Sequence, residues 1–136
     1  MSNTFTKPFP QKIKTGYGVC TAALGSIAAP TIASLKLVAT AGADGGYLAK
    51  ISAFPLATVA ATGLVVYSLK GGVYQMIGSA TMPASTEALA TRTPETLIDN
   101  FSVENPKRLE AGEAIYVGIK VALAAGIQFD AEWEDR

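Results

Sequence analysis

The sequence predicts an all-β fold: an antiparallel β-sandwich or jelly roll of about eight strands, led by an extended N-terminal arm. Three observations carry that expectation. Apolar and polar residues alternate with a period of two along much of the chain. Gly and Pro clusters break the alternating runs at near-regular intervals. The Ala-rich stretches show no apolar stripe at helical spacing over a useful length, and Gly and Pro punctuate most of them.

A chain of 136 residues fits one domain. We divide it into an arm over residues 1–16 and a single β-sandwich domain over residues 17–136. Half the residues are hydrophobic (49%) and only 16% are charged, which is low for a lone soluble domain. Low charge leaves part of the exterior to meet protein rather than water. Eleven basic and eleven acidic residues cancel, so a general nucleic-acid binder, which needs surplus cations to displace counterions, is not expected. Cys20 is the only cysteine, which leaves no intrachain disulfide framework. The apolar run over residues 19–34 is interrupted by Thr21, Gly25, Ser26, Pro30 and Thr31, so it reads neither as a signal peptide nor as a membrane span. A soluble protein made in the cytoplasm is the expectation.

Element by element, Pro8 and Pro10 keep the arm from regular pairing. Lys7, Lys12 and Lys14 make it basic, and Phe5, Phe9 and Ile13 leave it apolar side chains without a core. Residues 17–22 read as a first strand. Residues 34–40 and 47–54 flank Ala-Gly-Ala-Asp-Gly-Gly, a turn centred on Asp44-Gly45. Residues 62–70 and 73–80 flank Gly71-Gly72, the signature of a two-residue hairpin turn. Residues 81–95, with Pro83 and Pro94, form a long irregular loop, and such loops tend to carry contacts or function. A short strand falls within 97–103. In residues 114–121 Ile115, Val117, Ile119 and Val121 share a face, and in 126–134 Ile127, Phe129, Ala131 and Trp133 do the same. The short link between these two runs predicts an antiparallel hairpin.

Chemistry is sparse. The chain contains no histidine, the commonest general base and zinc ligand. Cys20 therefore has no imidazole to activate it and reads as a small buried residue. Asp130, Glu132 and Glu134 fall on one strand face, about 7 Å from one to the next, and read as the solvated side opposite Phe129 and Trp133. Asp44 is the lone carboxylate of its loop, too few for calcium. Gly45-Gly46 and Gly71-Gly72 lack the Lys-Ser/Thr of a phosphate loop. We therefore expect no catalytic, cofactor-binding or metal-binding residues, and no enzyme. Charge is nonetheless segregated: the first sixteen residues are basic, and Asp130, Glu132, Glu134 and Asp135 crowd the last strand. Opposite patches of this kind can join copies of a protein or fix an arm to a neighbour.

Three segments together carry a family resemblance: the arm, then "LKLVATAGADGGYLAKISAFPLA", then "RLEAGEAIYVGIKVALAAGIQFDAEWED". Val38 to Gly42, the turn to Gly46, and Lys50 with Ile51 follow one shared pattern. Leu109, Gly112, Ile115 and Val117 follow another. Over about residues 15–135 the chain resembles the head decoration (cement) proteins of tailed bacteriophages and related small virion β-sandwich proteins. The resemblance implies a β-sandwich on the outside of an assembled capsid, often a trimer, that stabilises the shell by bridging major capsid subunits. It implies a virion location; charge balance and the interrupted apolar runs leave no nucleic-acid or membrane partner expected.

On that reading the contacts with capsid or neighbouring subunits fall to Phe5, Pro8, Phe9, Lys12 and Lys14 of the arm and to the loop bracketed by Pro83 and Pro94. A tail, baseplate or fibre-associated virion protein is the alternative within the same class. A carbohydrate-binding β-sandwich module is the alternative from another, with Trp133, Tyr67 or Tyr74 as its stacking platform.

Overall fold

A computed structural model of the chain describes residues 12–136. The alternating runs become nine strands: β1 (Lys12–Cys20), β2 (Lys36–Thr40), β3 (Gly46–Pro55), β4 (Thr62–Lys70), β5 (Val73–Met82), β6 (Thr96–Leu97), β7 (Lys107–Leu109), β8 (Ala114–Ile119) and β9 (Ile127–Asp135). They build two antiparallel sheets packed face to face, a β-sandwich. One sheet runs β1-β9-β3-β6, with β7 also pairing β3; the other runs β2-β8-β4-β5. A single 3₁₀ turn, Ile32–Ser34, is the only helical element among the described residues.

Period-two alternation dictates the core. Leu48, Ile51, Phe129 and Ala131 of the first sheet meet Leu64, Val66, Ile115 and Val117 of the second, all buried in one cluster. Each large side chain so hidden contributes about 1.5–3 kcal/mol. Burial along β9 alternates without a break over its nine residues, and Trp133 is buried as its place in the apolar series requires.

The β4–β5 hairpin forms as expected. Lys70 pairs with Val73, and Gly71 and Gly72 sit at φ 60° and 79°, the two positive values of a type I′ turn.

Two expectations are corrected. The runs over 114–121 and 126–134 do not form a hairpin. β8 pairs with β2 and β4, whereas β9 pairs with β1 and β3, so the link between them passes from one sheet to the other. Two strands with equally apolar faces satisfy the core as well from opposite sides as from adjacent places, and alternation cannot tell these arrangements apart.

The expected boundary of the arm at residue 16 is also corrected. Residues 12–16 belong to β1, which pairs with β9 from Lys12–Asp135 to Cys20–Ile127. Their pattern is inverted: Gly16 and Gly18 share a face with Lys14 and Cys20, opposite Ile13 and Tyr17. Glycine is required on the inner side because a Cβ at Gly16 would lie 2.0 Å from the Val38 carbonyl oxygen. Phe5, Pro8 and Phe9 lie outside the described residues.

Candidate interaction surface

The outer faces of the two sheets are finished differently. Residues 21–35 lie over the second sheet. Leu24 donates its N–H to the Ile119 carbonyl at 2.7 Å, and the Tyr67 hydroxyl donates to the Ile27 carbonyl at 2.7 Å. Leu35, Val65 and Tyr67 form a second buried cluster there, with Leu24, Tyr74 and Tyr116 against it. Tyr67 meets Tyr74 edge-on at 6.3 Å, and Tyr74 meets Tyr116 in the same way at 5.5 Å. Burial raises the Tyr67 hydroxyl above its ordinary pKa. With Trp133 and Tyr67 buried and Tyr74 half-buried among tyrosines, the stacking platform expected of a glycan-binding module does not form from these three residues.

The first sheet has no such cover from residues 21–35. Strand register places Tyr17, Asp130, Ser52 and Leu97 in one row across β1, β9, β3 and β6. Thr15, Glu132 and Lys50 form the adjacent row, and the Lys50 ammonium reaches the Glu95 carboxylate at 3.8 Å. Asp130 and Glu132 thus occupy the outward positions of β9, as the alternation requires. Ile13, Tyr17 and Leu97 are large, apolar and exposed on this side. A groove of about 300 Å³ runs between Tyr17 and Lys50, with Ser52 and Asp130 in its lining.

The loop from Pro83 to Pro94 stands beside this face. It is a built structure. Val59 and Ser85 exchange two backbone hydrogen bonds at 3.0 Å, and the Glu87 N–H donates to Thr58 Oγ1 at 3.1 Å. The Glu87 carboxylate accepts from Ser85 Oγ at 2.9 Å and from Thr93 Oγ1 at 2.7 Å, tying both limbs of the loop together. Leu89 projects from it fully exposed, while Pro83 and Pro94 are exposed at its two ends. Leu56, Leu89, Phe54 and Gln128 border an open concavity of about 690 Å³ that joins loop to sheet.

The lysines of the expected contact set have different fates. Lys12 is exposed. Lys14 Nζ sits 3.0 Å from Asp135 Oδ2, and Asp135 also accepts the Gly42 N–H at 3.0 Å. Basic and acidic ends are therefore joined here within one chain, across the β1–β9 pair. Burial alone would raise the Asp135 carboxyl, but the Lys14 ammonium and the Gly42 N–H outweigh it and hold the pKa below the ordinary value. Cys20 is buried, donates its thiol to the Val117 carbonyl at 3.5 Å, and is pushed up to about 11 by that burial. It is protonated at neutral pH and packs as a small apolar residue.

Sequence reasoning named Pro83 and Pro94 but missed Tyr17, Leu56, Leu89 and Leu97 as surface residues. The inverted pattern of β1, with glycines where a core face should be, is the signal that could have exposed Tyr17. Leu89, alone among small and polar neighbours, carries a weaker signal. Searches against protein-family models and against curated proteins return no match to this chain.

Proposed function

We propose that the protein is a structural virion protein of a tailed phage, a decoration protein that binds the assembled head and stabilises it by bridging major capsid subunits. The observation that carries the reading is the asymmetry of the sandwich. One outer face is covered by the chain's own residues 21–35, and the other, with Ile13, Tyr17 and Leu97, is joined by a hydrogen-bonded loop that holds Leu89 in water. A partner that covers Leu89 together with Ile13, Tyr17 and Leu97 gains free energy by taking their apolar area out of water. Binding through such a surface gains from buried area, and many copies on one shell add avidity.

The test is cosedimentation of purified protein with expanded heads of the phage that encodes it. Wild-type protein is expected on intact particles in hundreds of copies. Leu89→Asp should cut occupancy about tenfold or more while leaving the β-rich circular dichroism unchanged. Deleting residues 1–11 should lower occupancy too, since Phe5, Pro8 and Phe9 belong to the proposed contact set. Recovery of only a handful of copies per particle would favour a tail or baseplate position. No recovery at all would end the proposal. The trimer implied by the family resemblance predicts a solution mass three times the 14.1 kDa chain, measurable by light scattering.

A further inference from the structure

The groove on the first sheet has its own chemistry. Its aromatic wall is Tyr17, which is 76% exposed. Asp130 and Glu132 lie on alternate residues of β9 and so stand about 7 Å apart on one face. In its lining is Ser52, only 2% exposed, whose hydroxyl makes no hydrogen bond among the described residues. Its oxygen is within reach of solvent in the groove and open to a bond from a ligand.

The nitrogen donors near this groove are engaged. Gln128 Nε2 donates to Asp130 Oδ1 at 3.3 Å, and the Lys50 ammonium is turned to Glu95. What remains for a ligand is the second Asp130 oxygen and the Glu132 carboxylate as acceptors, with the Thr15, Tyr17 and Ser52 hydroxyls able to donate or accept. Lys50 and Glu95 offset one another, so the two β9 carboxylates leave the groove net negative. A neutral sugar would gain nothing from that net charge. A guanidinium is planar, cationic, and carries five donors and no acceptor. Placed between two carboxylates about 7 Å apart, it can bond to each at about 2.8 Å. Its flat face also stacks on a tyrosine ring.

We infer that this groove receives an arginine side chain of the protein partner, stacked on Tyr17, shared by Asp130 and Glu132, with the Ser52 hydroxyl beneath it. The identity of the partner rests on the adhesive reading above; the chemistry of the groove does not.

The experiment titrates ¹⁵N-labelled full-length protein with the peptide acetyl-Gly-Arg-Gly-amide, followed by amide chemical shifts. Saturable shifts are expected at Thr15, Tyr17, Ser52 and Asp130. The Lys peptide should bind more weakly, and the Gln peptide should not saturate. Asp130→Asn with Glu132→Gln should weaken the Arg peptide about tenfold or more. Tyr17→Ala should weaken it about two- to fivefold. If the double variant fails to fold, Tyr17→Ala and a titration of wild-type protein at high salt, where affinity must fall, keep the test open. Absence of saturable shifts, equal shifts with the Gln peptide, or tighter binding of maltose at the same amides overturns the inference. Cosedimentation with heads separates the two proposals. Wild-type protein that binds heads, with a folded double variant that binds them equally well, overturns the arginine site and leaves the adhesive reading intact. Wild-type protein that ignores heads but saturates with the Arg peptide does the reverse.

Discussion

Asp135 closes the inward series of β9 where another apolar residue would be expected, and its surroundings explain how a carboxylate survives there. Lys14, from the neighbouring strand, supplies the charge, and the Gly42 N–H supplies a second bond. The Trp133 indole N–H makes no hydrogen bond of acceptable geometry, yet it lies near enough to Asp135 to favour the ionised form. Because the folded pKa is lowered, this site stabilises the native state above the unfolded carboxyl's pKa, near 4. That stabilisation is lost as pH falls through the lower folded value. Lys14→Met should therefore cost about 1–2 kcal/mol at pH 7, a figure kept small because the lysine is half exposed. Urea unfolding at pH 7 and pH 3 checks it. The gap between variant and wild type must narrow at pH 3, and a gap independent of pH would show that Lys14 acts through packing alone.

At the scale of elements, the β4–β5 hairpin and strand β1 show opposite degrees of legibility. Gly71-Gly72 announces its turn because few other residues accept two successive positive φ values. Nothing lies within 4 Å of a Cβ added at either position, so a substitution there tests the backbone alone. Gly71→Ala should cost about 1–2 kcal/mol in thermal or urea unfolding, and Gly71→Asn distinctly less. Equal costs for Ala and Asn would mean that the turn is not of the type described. β1 was harder to see. Its inner positions are Lys14, Gly16, Gly18 and Cys20, and it is the close approach of Val38, not hydrophobicity, that fixes Gly16 there. A strand whose greasy residues point outward reads as an arm until its neighbours are placed. A truncation that leaves the sandwich whole must accordingly stop before Lys12.

Over the whole molecule, both sheets share one apolar cluster that includes residues from every strand but β6. No part of it can be exposed without opening the rest, so unfolding should be a single cooperative transition. For a chain of this length the calorimetric enthalpy near 60 °C should be about 90 kcal/mol, equal to the van't Hoff value. Two resolved transitions in differential scanning calorimetry would contradict the shared core. The same wholeness gives the outer face of the first sheet its meaning. A rigid sandwich presents Tyr17, Leu97 and the loop carrying Leu89 at fixed spacing, so little ordering entropy remains to be lost on binding.

The class of fold, the turn at Gly71-Gly72, the burial of Trp133 and Cys20, and the outward direction of Asp130 and Glu132 are all legible in the chain before it is folded. Each of these follows from local rules: period-two alternation, the φ preferences of glycine, and the cost of wetting apolar surface. Long-range packing is what settles which strands are neighbours, that β8 and β9 lie in different sheets, and that residues 21–35 cover the second sheet rather than the first. Sheet partnership is a long-range choice among strands with equally apolar inner faces. It is settled by closure of the whole core, which no local pattern encodes.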